Sequence, residues 1–474
     1  MENRVYDFFN QTKQAFSSCS DLEKIYFTVL NRSAVAIYLD DMTDKNLLSE
    51  SLIKPLSLLE NVPDPIDAVQ NHTFCATPKT YTDINQAFDA LAAGDVVIKV
   101  DSVPEIFCFS VRFYNVRSIA EPPTSSILRG PREGFVEDLK TNISLIRRRL
   151  RTKDLVITNV KVGKYSSTEV SVVYLNGVAD NTLVNKLLDK IRSISIDGVT
   201  DSAYIARFLE EKRLSVFKQV GNTEKPDILC AKLLEGRIGI VVDGSPMVLT
   251  VPYVLFEAFQ DSQDYYKKSS LTIFTRIIRL LGAFIAVTLP AGYVALQQYQ
   301  YQIIPFKLLL TVARLTSGIP FTPTMEMICV LLIFEVLNEA SIRMPRYVGM
   351  ALSIVGAIVL GETAVNAGLV SSPAVLVVAL SATGLYCVPD EVNAFALIRF
   401  LLVPIAGVLG LYGILLAAIS LFAYITNLDS FSTPFLAPIA PFNPADMQDG
   451  LLKADLTEMK YRPSIFRQKN KKRQ

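Results

Sequence analysis

The few residues placed to do chemistry in this sequence stand mostly inside apolar runs. Glu335, Glu339 and Arg343 recur every four residues in a stretch that also carries Glu326. On a helix that spacing puts the three on one face. A charge at membrane depth costs about 2.5 to 3.5 kcal/mol at a helix centre, so it faces protein or water. Glu339 and Arg343 also fit a plain helix end at the interface, whereas Glu335 does not. In the next run, 348–370, Gly349, Ser353, Ala357 and Gly361 form a small-residue ridge on which another helix can pack closely. Beside it run Val355, Val359, Glu362 and Asn366. Two valines next to a carboxylate make the surface of a pore wall, a girdle that gates by dewetting beside a group that favours cations. Packing within one subunit, with Glu362 near the lipid interface, is the other reading of the same stripe.

Catalysis has little to work with. His72 is the sole histidine and sits in a polar stretch, and the six cysteines lie far apart without CxxC spacing. No His-dependent dyad, zinc site or disulfide framework is expected, and no nucleophile stands beside a base in a recognisable setting. The expectation is a protein that is not an enzyme and uses no cofactor or metal.

The elements that position these residues fall into three parts. Half of the residues are hydrophobic and the mean hydropathy is positive, more than a soluble domain needs. Residues 1–270 read as a cytosolic N-domain, whose start lacks the apolar core and cleavage site of a signal peptide. Residues 271–426 carry five to six apolar segments and read as an α-helical polytopic membrane domain. Residues 427–474 form a basic tail whose prolines at 434, 438, 441 and 444 predict an extended linker.

Within the N-domain, 95–100 and 105–114 read as a hairpin, and strands then alternate with helices from 155 onward. Two small α/β subdomains joined near 121–151 fit this pattern. The run 236–252 breaks at Asp243-Gly244, where a hairpin turn needs positive φ.

In the membrane half, 273–296 is the first span, with Arg276 and Arg279 at its cytosolic entry. The segment 303–319 is interrupted by Pro305, Lys307 and Arg314 and suits an interfacial position. Plain spans number five and end with 401–426, yet the basic tail favours the cytosol. Either 303–319 crosses, giving an even count with both ends inside, which is the expectation, or the tail is an exception to the charge rule.

The joint segment, 121–151, admits three functions. A phosphate loop is a poor fit, because Pro131 removes an amide and no Lys-Ser/Thr follows Gly134. Arg147, Arg148, Arg149 and Arg151 could meet phosphates, but the domain has no basic excess, so no nucleic acid is expected as a partner. A solvated basic end of the helix from Phe135 is the plainer reading. As a scaffold joint, the Gly130-Pro131-Arg132-Glu133-Gly134 loop would orient that helix, with Gly130 or Gly134 at positive φ.

Here the sequence resembles a known family. Glu121-Pro122, Arg129-Gly130-Pro131-Arg132-Glu133-Gly134-Phe135, Asn142 and Leu145-Ile146-Arg147-Arg148 are similar to the signature of the A subunits of spore germinant receptors, the GerA family. Glu224-Lys225-Pro226-Asp227, Val242-Asp243-Gly244-Ser245-Pro246, Asp264-Tyr265-Tyr266 and blocks in the apolar half follow in the family's order. Ser125, Gln300 and Glu362 depart from it, where glutamate, histidine and glutamine are expected.

The resemblance implies an A subunit in the spore inner membrane. Such a subunit assembles with a transporter-like B subunit and a lipoprotein C subunit, forms homo-oligomers, and acts as a nutrient-gated ion conduit. A paralogue attached to the dipicolinic acid release machinery would match equally well. A secondary transporter would need inverted repeats, which the sequence lacks.

Overall fold

The computed structural model describes residues 3–473 apart from 18, 60, 61, 63, 112–129, 345–355, 357, 358, 451, 452, 456 and 458. Glu121, Arg129, Gly349, Ser353, Val355 and Ala357 therefore lie outside the described residues.

Each N-terminal subdomain is a five-stranded antiparallel sheet with helices on both faces. The first orders its strands β1 (Leu22–Val29), β2 (Arg32–Leu39), β4 (Val96–Val100), β5 (Ile106–Phe109) and β3 (Lys79–Tyr81). Alternate residues of β2 point to opposite faces and both are covered, so the strand is apolar throughout. Val35, Ile37 and Leu39 pack under α1 (Asn3–Ala15) and α2 (Ile84–Ala92), while Ala34, Ala36 and Tyr38 pack under short helical turns from 45–71. Helix α1 presents Val5, Phe8, Phe9 and Thr12 at the 3.6 period, and Phe16 just beyond it stacks edge-on against Phe88 at 5.9 Å.

The second sheet runs β6 (Leu155–Val162), β7 (Thr168–Leu175), β9 (Ile238–Val242), β10 (Val248–Val251) and β8 (Gly221–Thr223). Helices α3 (Leu139–Arg149) and α6 (Pro226–Leu234) cover one face, and α4 (Asn181–Arg192) and α5 (Ser202–Leu209) the other. Asp138, Asp180 and Asp201 cap α3, α4 and α5 by accepting from backbone amides. Gly244 has the positive φ its turn requires, 83°. Gly130 has φ 129°, whereas Gly134 is outside the left-handed region, so only the first of the pair needs to be glycine for backbone reasons.

Helix α7 (Ser269–Gln298) leads away from the N-domain. Helix α8 (Phe306–Thr316) buries none of its side chains, and at about 16 Å it is too short to cross a bilayer core of about 30 Å. Helix α9 (Pro323–Arg343) starts beside the far end of α7, where Thr324 meets Gln298 at 2.8 Å, and runs back toward the N-domain. Helix α10 (Ser372–Leu385) also returns, antiparallel to α7, with the Ser381 hydroxyl on the Ala286 carbonyl at 2.6 Å.

Helix α11 (Val392–Thr426) corrects the expectation of a single span over 401–426. A straight helix of its 35 residues would be about 52 Å long. Yet both of its ends rest on one short segment of the N-domain. Lys218 pairs with Asp390 at 3.0 Å, and the Lys212 ammonium donates to the Asn427 carbonyl. The chain reverses at Gly410, whose φ of 61° and ψ of −146° belong to a region essentially reserved for glycine. Beyond the reversal, a Cβ on Gly413 would stand 2.8 Å from the Ile405 carbonyl, a contact between antiparallel arms.

The broken helix leaves orphan backbone groups, and the end of α7 satisfies them. The Tyr299 hydroxyl meets the Gly407 and Val408 carbonyls at 2.9 and 3.1 Å, and the Gln300 side-chain Oε1 accepts from the Leu411 amide at 3.4 Å. Both ends of the helical region thus return to the N-domain. The reversal at Gly410 is what brings the last helix back to the N-domain.

The proline-rich segment after Thr426 is packed, against the expectation of an extended linker. Phe431, Phe435, Leu436 and Ala437 are buried, the Leu255 amide donates to the Phe435 carbonyl at 2.9 Å, and the Tyr253 amide donates to the Ser430 hydroxyl at 2.9 Å. Prolines remove donors but not apolar surface, and that surface fills the gap under α11.

Gly410→Val should add about 3 kcal/mol of backbone strain and a clash with Gln300, 2.9 Å from where its Cβ would stand. The yield of monodisperse protein from membranes should collapse. Gly361→Ala, with open space around its Cβ, should extract at the parent level.

Candidate functional site

Three charged clusters stand out, each built on residues whose charge is hidden from solvent. The first is the joint between subdomains. Arg147, on the buried face of α3, is fully buried and donates from Nε and Nη2 to the two oxygens of Asp21 at 2.6 and 2.8 Å. Burial alone would pull the guanidinium's pKa down, but the Asp21 charge and hydrogen bonds outweigh it and raise it. The solvated-end reading of the basic run is therefore wrong for Arg147. Arg148 and Arg149 bind Glu133 of the glycine-proline loop at 3.4 and 2.6 Å, and the Asn142 side chain holds both backbone groups of Val136. Of the loop's other members, Pro131 is half-buried and Arg132 exposed.

Asp21 belongs to the turn between α1 and β1, which lies against the edge strand of the other sheet, where the Ser20 amide donates to the Ile157 carbonyl at 2.9 Å. Cys19 donates to the Leu155 carbonyl, and burial pushes its thiol up. Asp41 nearby is pushed up to about 7, by burial and then by the Asp21 charge. The joint accommodates one carboxylate opposite Arg147 and disfavours a second.

The second cluster is the root of α7. Asp264, with none of its side chain exposed, receives Arg276 Nε at 3.1 Å and also Arg279. Arg276 further donates to Asp449 Oδ1 and to the Asp449 and Gly450 carbonyls of the tail. Lys453 reaches the Asp264 carbonyl, and the Tyr265 hydroxyl donates to Asp449 at 2.7 Å. Burial, then the Asp449 charge, holds the Tyr265 phenol far above its usual range, so it stays a donor. The sequence marked Arg276 and Arg279 as entry charges; their shared partner Asp264 is 12 and 15 positions away, while the tail residues that Arg276 also binds lie 173 and 174 positions away and left no local signal.

The third cluster is inside the helical bundle. Glu335 pairs with Arg399 of α11 at 2.5 Å, and Arg399, 1% exposed, also donates to the Ser381 hydroxyl at 2.8 Å. Glu339 and Arg343 pair with each other in the open, the helix-end reading. Glu326 is buried and accepts the Ser371 amide at the start of α10. Arg399 was missed because the last span was started at 401, yet a lone cation in an apolar run is itself a signal that a partner exists.

Of the stripe over 355–366, Val359 lies in a π-helical turn, Val359–Ala364, a form enriched at functional sites. Glu362 and Asn366 are both exposed, and Gly361 has nothing within 4 Å of where a Cβ would stand. Packing within the chain instead uses Gly356, against Leu337.

Fold and charge clusters together define a protein with an N-domain clamped onto a bundle of apolar helices, of which α7 is by length and composition able to cross a membrane. The profile of the Bacillus/Clostridium GerA spore germination protein family matches residues 10–465, and the chain belongs to that family. Spore germination protein KA of Bacillus subtilis (strain 168) is 34% identical over 473 residues, covering 98% of this chain and 87% of that protein. Spore germination protein GerLA of Bacillus cereus is 33% identical, covering 99% and 97%. The uncharacterized membrane protein YfkQ of Bacillus subtilis (strain 168) is 32% identical, covering 95% and 89%. The crystal structure of the N-terminal domain of the A subunit of the Bacillus megaterium germinant receptor GerK3 aligns with a TM-score of 0.40 at 22% identity, covering 53% of this chain and 95% of that one.

Removing one partner of a buried ion pair costs about 3 to 5 kcal/mol, whereas replacing both by apolar groups is often neutral. Asp21→Ala should therefore speed alkylation of Cys19 by about 100-fold in the native protein. The double variant Asp21→Leu/Arg147→Met should restore most of the protection. Equal labelling of all three proteins would show that the pair does not hold the joint.

Proposed function

We propose that this chain is the A subunit of a spore germinant receptor. It resides in the spore inner membrane with its N-domain on the cytosolic side and acts as a nutrient-gated cation conduit. In this reading it assembles with further copies of itself, a transporter-like B subunit and a lipoprotein C subunit. Family membership supports the receptor role, and the names of its relatives point to germination and not to an enzyme.

The observation that carries the conduit is the placement of Glu362. Its segment runs between Gly356, which lies against Leu337, and Ser371, which lies beside Glu326. Glu362 is thus exposed partway along an apolar bundle, one turn from the exposed Asn366. A carboxylate at that depth is too costly to leave in lipid. A water-filled axis shared between copies, with the bare backbone at Gly361 allowing close approach, removes the cost.

Val359 one turn before Glu362 would supply the apolar constriction. Val359→Ala should wet it and let cations leak without nutrient, read as loss of membrane potential in cells producing the variant with its B and C partners. Glu362→Gln keeps size and hydrogen bonding but removes charge, so gating should persist with weaker cation preference. A silent Val359→Ala at normal protein level would move the conduit to another face, with Glu335 the next candidate.

A further inference from the structure

We propose that the C-terminal tail forms a docking surface for anionic phospholipid headgroups, held at the membrane-facing end of the N-domain. Residues 461–474 contain six basic side chains and no acidic one. The tail folds back on itself, with the Arg462 amide donating to the Lys471 carbonyl at 2.9 Å and the Arg473 amide to the Lys460 carbonyl at 2.8 Å. That pairing gathers Lys460, Arg462, Lys471, Lys472 and Arg473 into one patch, with Arg467 and Lys469 beside it.

None of these seven cations has a carboxylate within 4 Å among the described residues. Among the described residues the Arg462 guanidinium binds carbonyls, of Leu234 at 2.6 Å, Asn470 at 3.0 Å and Lys472. Like charges so gathered repel unless an anion joins them.

The patch is nevertheless built and not a loose tail. Phe466 is buried with the Arg237 guanidinium 4.0 Å above its ring, Gln468 is buried against Gly236, and the Lys469 amide donates to the Val178 carbonyl at 3.1 Å. Those anchors fix its position. Val178, Leu234 and Gly236 lie at the end of the second sheet where Ile238 pairs with Val251, next to the 253–259 segment on which α11 stands. Just before the patch, Asp449 and Lys453 grip the root of α7. Lys460, Arg467, Lys469, Lys471 and Lys472 are exposed there, at the level where the chain enters the apolar bundle. A juxtamembrane cluster of this kind draws anionic lipid with each cation that reaches the surface.

The test is amide hydrogen exchange of the full chain in nanodiscs. With phosphatidylglycerol mixed into phosphatidylcholine, exchange over 460–473 should slow by about tenfold relative to phosphatidylcholine alone, and high salt should erase the difference. Lys469→Gln/Lys471→Gln/Lys472→Gln should lose the slowing while the bundle's exchange is unchanged, because all three side chains are exposed. Identical exchange in the two lipids would overturn the proposal. So would protection that appears in phosphatidylcholine only on adding inorganic phosphate or a single-stranded oligonucleotide, since the patch would then serve a soluble anion.

Discussion

The structure hangs on one carboxylate. Asp264 closes the last turn of the N-domain and has no exposed side-chain surface, yet two arginines one turn apart on α7 converge on it. Arg276 then hands the connection to Asp449 in the tail. N-domain, first helix and C-terminal segment therefore meet at a single desolvated charge cluster. A buried charge is tolerable only when fully paired, so none of the three parts can shift alone without stranding a charge. Rigid coupling is what a receptor subunit needs if a change in one part is to be felt in another.

The same logic recurs at the joint and inside the bundle. Arg147 with Asp21 and Arg399 with Glu335 each tie elements far apart in sequence, and each arginine is buried while its neighbours are apolar. Such pairs add little net stability compared with apolar packing, but they penalise any other register of the parts. Glu362 breaks the pattern: it is exposed and lies on a π-helical turn. That exposed carboxylate is the feature on which the proposed conduit rests.

Much of this was legible in residues and much was not. The paired strands after residue 155, the turn at Gly244 and the start of the first span followed from alternation, turn chemistry and hydropathy. The β1 and β2 hairpin has no alternation to reveal it in β2, which is covered on both faces. Helix α11 reads as continuous because every residue but one is helical in conformation; the reversal rests on Gly410 and on caps from Tyr299 and Gln300. Arg147 read as a solvated helix end because Asp21 is 126 positions away. Long-range charge partners leave no periodic trace, whereas faces and turns do.

The claim that Glu362 lines an axis shared between copies can be tested by disulfide cross-linking in membranes. Glu362→Cys, produced with its B and C partners and mildly oxidised, should give covalent dimers of this chain. A cysteine at Leu376, exposed on the outside of α10, should give far fewer. Cross-linking at Leu376 with none at 362 would contradict the account.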